Sequence, residues 1–213
     1  MQGVLEAVLV VHSLLNFALL GSSRLQSCIR FGAWQGVCVG LMPILMGAQR
    51  GTLFLVLFSL GILLLKGLVF PLLLNRAIRE AHIRREVQPS LGFLASMLVG
   101  LLFLGVSILL SSRLPLPAGA PGLAVPAGFF TMLSGLLLLI TRSIAVNQVL
   151  GYLTLENGIF VLGLALALEQ PLLVETAMLL DVFAAVFVMG VMVFHIQREF
   201  DHIDTSQLSS LKD

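Results

Sequence analysis

Residues 151–196 read GYLTLENGIFVLGLALALEQPLLVETAMLLDVFAAVFVMGVMVFHI. Two strongly apolar segments flank a short polar break at 169–171, and each segment carries one carboxylate near its middle, Glu156 or Asp181. An apolar segment of about 20 residues is long enough to cross a bilayer as a helix. An ionised acid inside such a helix is costly to bury, so the presence of these two side chains indicates a function. The stretch therefore predicts two consecutive membrane helices whose acids move protons across the membrane.

The rest of the chain has the same apolar character. Of its 213 residues, 58% are hydrophobic and 11% are charged, whereas about 25% are charged in a typical soluble domain. Long apolar runs recur from end to end, so we predict an all-α fold, a polytopic helical membrane protein. The first apolar segment lacks the basic start and the small-residue cleavage site of a signal peptide, so we expect it to be retained. A net charge of +1 gives no indication of nucleic-acid binding.

Polar and Pro/Gly-rich breaks divide the chain into about seven membrane helices. The predicted spans are residues 4–20, 31–48, 53–75, 91–112, 123–141, 144–168 and 172–196. They form a four-helix N-terminal membrane region (1–112) and a three-helix membrane region (113–196), followed by a polar tail (197–213). The lipid bilayer is thus an expected partner of nearly the whole chain.

Basic residues predict the orientation, because they accumulate in the cytoplasmic loops of membrane proteins. Of the twelve Lys and Arg residues, only Arg50 and Arg113 fall on one side of the predicted bundle. Those on the other side are Arg24, Arg30, Arg76, Arg79, Arg84, Arg85, Arg142, Arg198 and Lys212. We therefore predict a multi-pass protein with its N-terminus outside and its C-terminal tail in the cytoplasm.

Glu156 and Asp181 are predicted to lie at nearly the same depth. Counting 1.5 Å per residue places Glu156 about 18 Å and Asp181 about 17 Å above the cytoplasmic face, in an apolar layer about 30 Å thick. Two acids at one level on antiparallel helices are suited to pass a proton from one to the other. The alternative is a pair of structural acids held by neighbouring groups.

Two further polar residues lie inside predicted helices. Lys66 lies about 20 Å below the outer face, too deep to reach the outer water. It is either a cation that tunes a buried acid of this or a neighbouring subunit, or a side chain that extends toward the inner interface, helped by Gly67 and Pro71. His12 is a further candidate for the relay, with hydrogen-bonded packing as the alternative.

The sequence offers no catalytic or metal-binding motif. Cys28 and Cys38 are the only two cysteines, and without a CxxC pair we expect no iron–sulfur cluster, nickel site or other cofactor in this chain. HExxH, GxGxxG, P-loop and GxSxG patterns are all absent from the sequence. Whether the chain belongs to an enzyme is therefore a question about its partners.

The residues around Glu156 resemble those of a known family. GYLTLENGIFVLGLAL (151–166) resembles the second helix of the K subunit of respiratory complex I and of the C subunit of Mrp antiporters. The last three predicted helices, in 113–196, are accordingly similar to that K subunit. Over nearly the whole chain, the order and spacing of four segments resemble hydrogenase-4 component E, a membrane subunit of formate hydrogenlyase-type complexes. The four segments are RLQSCIRFGAWQG, LLLKGLVFPLL, GYLTLENG and LLDVFAAVFVM.

This resemblance implies a non-catalytic membrane-arm subunit of a complex I-related group 4 [NiFe]-hydrogenase in the cytoplasmic membrane. Its implied partners are antiporter-like and quinone-module-like membrane subunits and peripheral hydrogenase subunits that carry the NiFe centre and the iron–sulfur clusters. Glu156 matches the key glutamate of the K subunit, and Lys66 matches a lysine of component E. The second K-subunit glutamate falls at Ala185, so Asp181 lies one helical turn earlier and could replace it.

Three interpretations are open at this point. The chain could serve a hydrogenase that couples electron transfer to proton or sodium translocation. It could instead serve another complex I-like or Mrp-type cation/proton antiporter assembly, or it could be a structural spacer whose acids are inert.

Overall fold

The structure is a computed structural model that describes residues 2–47, 53–80, 91–114, 121–142 and 145–166. The secondary-structure elements in these ranges are helices. Their bounds are α1 Gln2–Gly21, α2 Leu25–Gly47, α3 Leu53–Leu64, α4 Phe70–Glu80, α5 Phe93–Arg113, α6 Ala124–Thr141 and α7 Ala145–Leu166. A single π-helical turn, Leu65–Val69, joins α3 to α4, so that the two form one membrane helix.

Six helices within the described residues are long and apolar enough to cross a membrane. The predicted all-α polytopic membrane protein is therefore confirmed. The predicted seventh helix (172–196), with Asp181, and the tail (197–213) lie outside the described residues.

Two predicted helix boundaries were wrong by more than one turn. The second helix begins at Leu25 instead of residue 31, because Leu25, Cys28 and Ile29 are all buried in one apolar cluster. The third membrane helix continues beyond residue 75 to Glu80, since Leu74 is buried in the same cluster and Ile78 packs against it. Packing thus extends both helices into stretches that look polar in sequence.

Two separate apolar cores lie at opposite ends of the bundle. The first, here the outer core, contains Leu5, Leu9, Cys38, Val39, Met42, Phe58, Ile62, Ala124, Val125, Ala127, Phe160, Val161 and Ala165. The second, here the inner core, contains Leu19, Leu20, Leu25, Cys28, Ile29, Leu74, Leu138, Val146, Val149 and Leu150. α1 passes from the outer core to the inner core and α2 passes back, because successive helices run in opposite directions. Between the cores lies a layer of buried polar side chains.

Glycines fix α7 against α6. A Cβ atom on Gly158 would clash with the Met132 backbone, and one on Gly135 would clash with the Leu155 backbone. The two helices therefore approach as closely as small residues allow, which is a common way to pack membrane helices. Gly163, in contrast, faces open space. The close contact holds the middle of α7, where Glu156 lies, in a fixed position.

Candidate functional site

The centre of the polar layer is an ion pair between Lys66 and Glu156. The Lys66 ammonium Nζ lies 3.0 Å from Glu156 Oε1 and also donates to Asn157 Oδ1 at 3.0 Å. The two charged side chains are only 3% and 2% exposed. The Phe160 ring centroid lies 5.6 Å from Nζ, within reach of a cation–π contact. The structure thus brings together two residues that the sequence singled out separately, and Lys66 does not extend to the inner interface.

The sequence LKGLVFP explains why Lys66 occupies this position. Pro71 has no N–H, so it cannot continue the regular i→i−4 ladder, and the helix widens into the π turn one residue earlier. In that turn the Phe70 N–H donates to the Leu65 carbonyl. On the facing helix, a Cβ on Gly36 would lie 2.6 Å from the Lys66 carbonyl carbon. Only glycine at position 36 therefore lets α2 pack directly against the π turn.

His12 lies in the same polar layer, on α1. Its side chain is fully buried, and neither imidazole nitrogen has a hydrogen bond to the described residues. It lies about one helical turn before Asn16, another buried residue of this layer. The structure therefore places this further candidate inside the polar layer, without a hydrogen bond to the ion pair.

A second set of polar contacts lies beside the ion pair, across the same cavity. Gln35 donates to Asn16 Oδ1 at 2.7 Å, and Asn16 donates to the Thr131 hydroxyl at 2.8 Å. The hydroxyl of Thr154, three residues before Asn157 on α7, lies 3.5 Å from Gln35 Oε1. These side chains connect α1, α2, α6 and α7 at one level. Sequence analysis missed them, although single amides in otherwise apolar helices are a usable signal.

A small cavity adjoins this layer between α2, the third membrane helix and α7. Its polar wall consists of Gln35, Lys66, Thr154 and Asn157. The space open to the centres of water molecules is about 20 Å³, and a single water needs about 10–15 Å³. The ion pair therefore lies beside a space that can hold at least one water molecule.

Arg142, predicted to be a loop charge, is buried at the inner end of the bundle. Its guanidinium donates to the Leu20 carbonyl at 2.9 Å and lies 5.1 Å from the Phe93 ring centroid. It thereby joins the ends of α1, α5 and α6. Its role in the described residues is to hold helix ends together, at some distance along the helices from the ion pair.

The described side chains around the ion pair are not arranged as a metal site. Within the described ranges, no three His, Cys, Asp or Glu residues are grouped as metal ligands. The two cysteines are buried and lie in different cores. What the described site offers chemically is an ion pair, Lys66 and Glu156, whose charges a transferred proton can neutralise.

Comparisons with known proteins place the chain in a family. It is 35% identical over 195 residues to the uncharacterized protein Rv0085 of Mycobacterium tuberculosis, covering 89% of this chain and 87% of that protein. The chain belongs to the Rv0085 family. It is also a distant homologue of hydrogenase-4 component E of Escherichia coli K12 and of Shigella flexneri. Those proteins are 29% identical over 182 residues, which is 82% of this chain and 83% of theirs.

No family model matches this member of the Rv0085 family. No solved structure matches it either. The homology to component E agrees with the family that the sequence motifs indicate.

Proposed function

We propose that the chain is a non-catalytic membrane-arm subunit of a complex I-related group 4 [NiFe]-hydrogenase. In this proposal the Lys66–Glu156 pair takes part in proton or sodium translocation driven by electron transfer. The observation that carries it is a salt bridge with both partners almost fully buried, at a level between two apolar cores. Ionisable residues inside membrane helices are costly, and they commonly mark ion pathways.

The physical reason lies in the balance of the two charges. A buried ion pair has no net charge, but removing one charge leaves the other uncompensated at a cost of about 3–5 kcal/mol. A proton that reaches Glu156 would therefore force the Lys66 ammonium to find another partner or to lose its own proton. One transferred proton is thus tied to a rearrangement of side chains, as a coupled translocation step requires.

The homology to hydrogenase-4 component E supports the choice of complex. In the proposal, membrane-arm and peripheral hydrogenase subunits are the partners, and the NiFe centre and iron–sulfur clusters belong to those peripheral subunits. No electron passes through this chain. The resemblance of residues 113–196 to the K subunit supports the assignment of Glu156 as the central proton-carrying group, with Asp181 as the second acid.

The test is Glu156→Gln in the assembled complex. Glutamine keeps the shape of glutamate but cannot exchange a proton, so translocation in sealed vesicles should fall by roughly 10-fold or more. Hydrogen evolution with an artificial electron donor should persist, because the redox centres are elsewhere. Asp181→Asn should give a smaller or similar loss. Glu6→Gln is the matched control, since Glu6 lies on α1 away from the polar layer.

Assembly of the variant complex is checked first, by co-purification of its subunits. A Glu156→Gln complex that builds the same gradient per hydrogen released as the parent would show that Glu156 is structural. The chain would then be a spacer in the membrane arm.

A further inference from the structure

The cavity beside the ion pair extends toward only one end of the bundle. Its lining residues on α2 precede Gln35, those on α4 follow Lys66, and those on α7 precede Asn157. Because α2 and α7 run in one direction and α4 runs in the other, all three sets lie on the side of the inner core. From Lys66 to Leu74 the lining covers eight residues, or about 12 Å along the helix axis.

The opposite side of the ion pair is closed by aromatic side chains. Phe160 lies over the Lys66 ammonium, and its ring centroid is 6.2 Å from that of Phe58. Both rings belong to the outer core, which continues through Ile62 and Val161. The described residues thus surround the pair asymmetrically, with packed apolar side chains on one side and a cavity on the other.

The polar end of the cavity is suited to water. A buried water typically makes about three hydrogen bonds, and Gln35, Lys66, Thr154 and Asn157 all carry polar groups on the cavity wall. The remaining wall includes Ala33 and Leu153, which are half-buried side chains at the edge of the described bundle. The cavity therefore runs from a polar end, which is suited to water, to half-buried side chains.

We propose that this cavity is a water site that gives the Lys66–Glu156 pair access to the solution on the inner-core side, the predicted cytoplasmic side. The inference rests on the proposed function, because it assigns the side from which the pair receives its proton or cation. The apolar side chains of Ile29, Leu74 and Leu150 line the lower part of this route. The outer core separates the pair from the other side in the described conformation.

The test is the reactivity of single cysteines in vesicles that contain the whole complex. Cys28 and Cys38 are first replaced by alanine. Leu153→Cys then places a thiol on the cavity wall, and Leu162→Cys is the matched control. Both leucines are half-buried on α7, but they lie on opposite sides of Glu156. The probe is the Ag⁺ ion, which is close to water in size, does not cross the lipid bilayer freely and reacts with thiolates that water reaches.

We expect Leu153→Cys to react roughly 10-fold faster than Leu162→Cys when the reagent is on the cytoplasmic side. Adding Ala33→Leu, which narrows the cavity, should reduce that rate. Equal slow rates at both positions would overturn the proposal, and faster labelling of Leu153→Cys from the outer side would overturn its direction. The labelling needs no turnover, so its outcome is separate from that of the Glu156→Gln experiment.

Discussion

Replacing Lys66 by methionine tests how strongly the two buried charges depend on each other. Methionine has a similar length but no charge, so Glu156 would keep its carboxylate in a site where the side chain is only 2% exposed. Removal of one partner from a buried pair destabilises a protein by about 3–5 kcal/mol. We therefore expect Lys66→Met alone to lower the free energy of unfolding by an amount in that range.

The double variant Lys66→Met/Glu156→Leu removes both charges and gives a clear comparison. Because no buried charge remains uncompensated, it should be less destabilised than the sum of its two single variants. Buried ion pairs replaced by apolar residues are often neutral or even stabilising. The coupling energy should therefore exceed about 1 kcal/mol, well above the 0.3–0.5 kcal/mol within which independent sites add.

The assay is equilibrium unfolding of the purified protein in mixed micelles, with the two single variants, the double variant and the parent measured together. Ion translocation is then measured in vesicles that hold the assembled complex. We expect both single variants and the double variant to lose translocation, although the double variant regains stability. Strict additivity of the two unfolding free energies would refute an energetically coupled pair, and normal translocation by Lys66→Met would remove Lys66 from the proposed pathway.

Three further predictions follow from the fold and the family. A reporter fused after Asp213 should behave as cytoplasmic and one inserted in 114–122 as external; the opposite pattern would reverse the predicted orientation. Gly36→Val should displace the π turn from α2 and reduce translocation more than Gly61→Val, whose Cβ meets open space; equal effects would mean that close packing at Gly36 is unimportant. Purification in mild detergent should recover nickel- and iron-containing partners, identified by mass spectrometry and metal analysis, whereas antiporter subunits without these metals would favour the Mrp-type alternative.

Hydropathy alone was enough to predict the membrane helices within the described residues. Each helix is a long apolar run, and the bilayer requires its backbone hydrogen bonds to be made internally. The ends were harder to predict. The start at Leu25 depends on burial of Cys28 and Ile29 in the inner core, and such tertiary contacts are not visible in a local pattern.

The site could be predicted only in part. Lys66 and Glu156 stood out because each is a charge in an apolar segment, but they are 90 residues apart in sequence. Hydropathy does not reveal which membrane helices are neighbours, so the contact between them could not be predicted. Counting residues placed them at depths that differ by about 8 Å, and the long lysine side chain covers much of that difference. Asn157 stood beside Glu156 in the motif, yet only the structure gives it a role as a second acceptor for Lys66.

The local structure around each charge indicates which partner moves when the pair separates. Glu156 lies on a part of α7 whose backbone is held against α6 by Gly135 and Gly158, so that helix has little room to shift. Lys66 lies in a π turn next to Pro71, where the regular hydrogen-bond ladder is already interrupted. Its long side chain borders a cavity, whereas the carboxylate is short. In the proposed function, the lysine side chain is therefore the partner expected to move, while its backbone stays packed against Gly36 of α2.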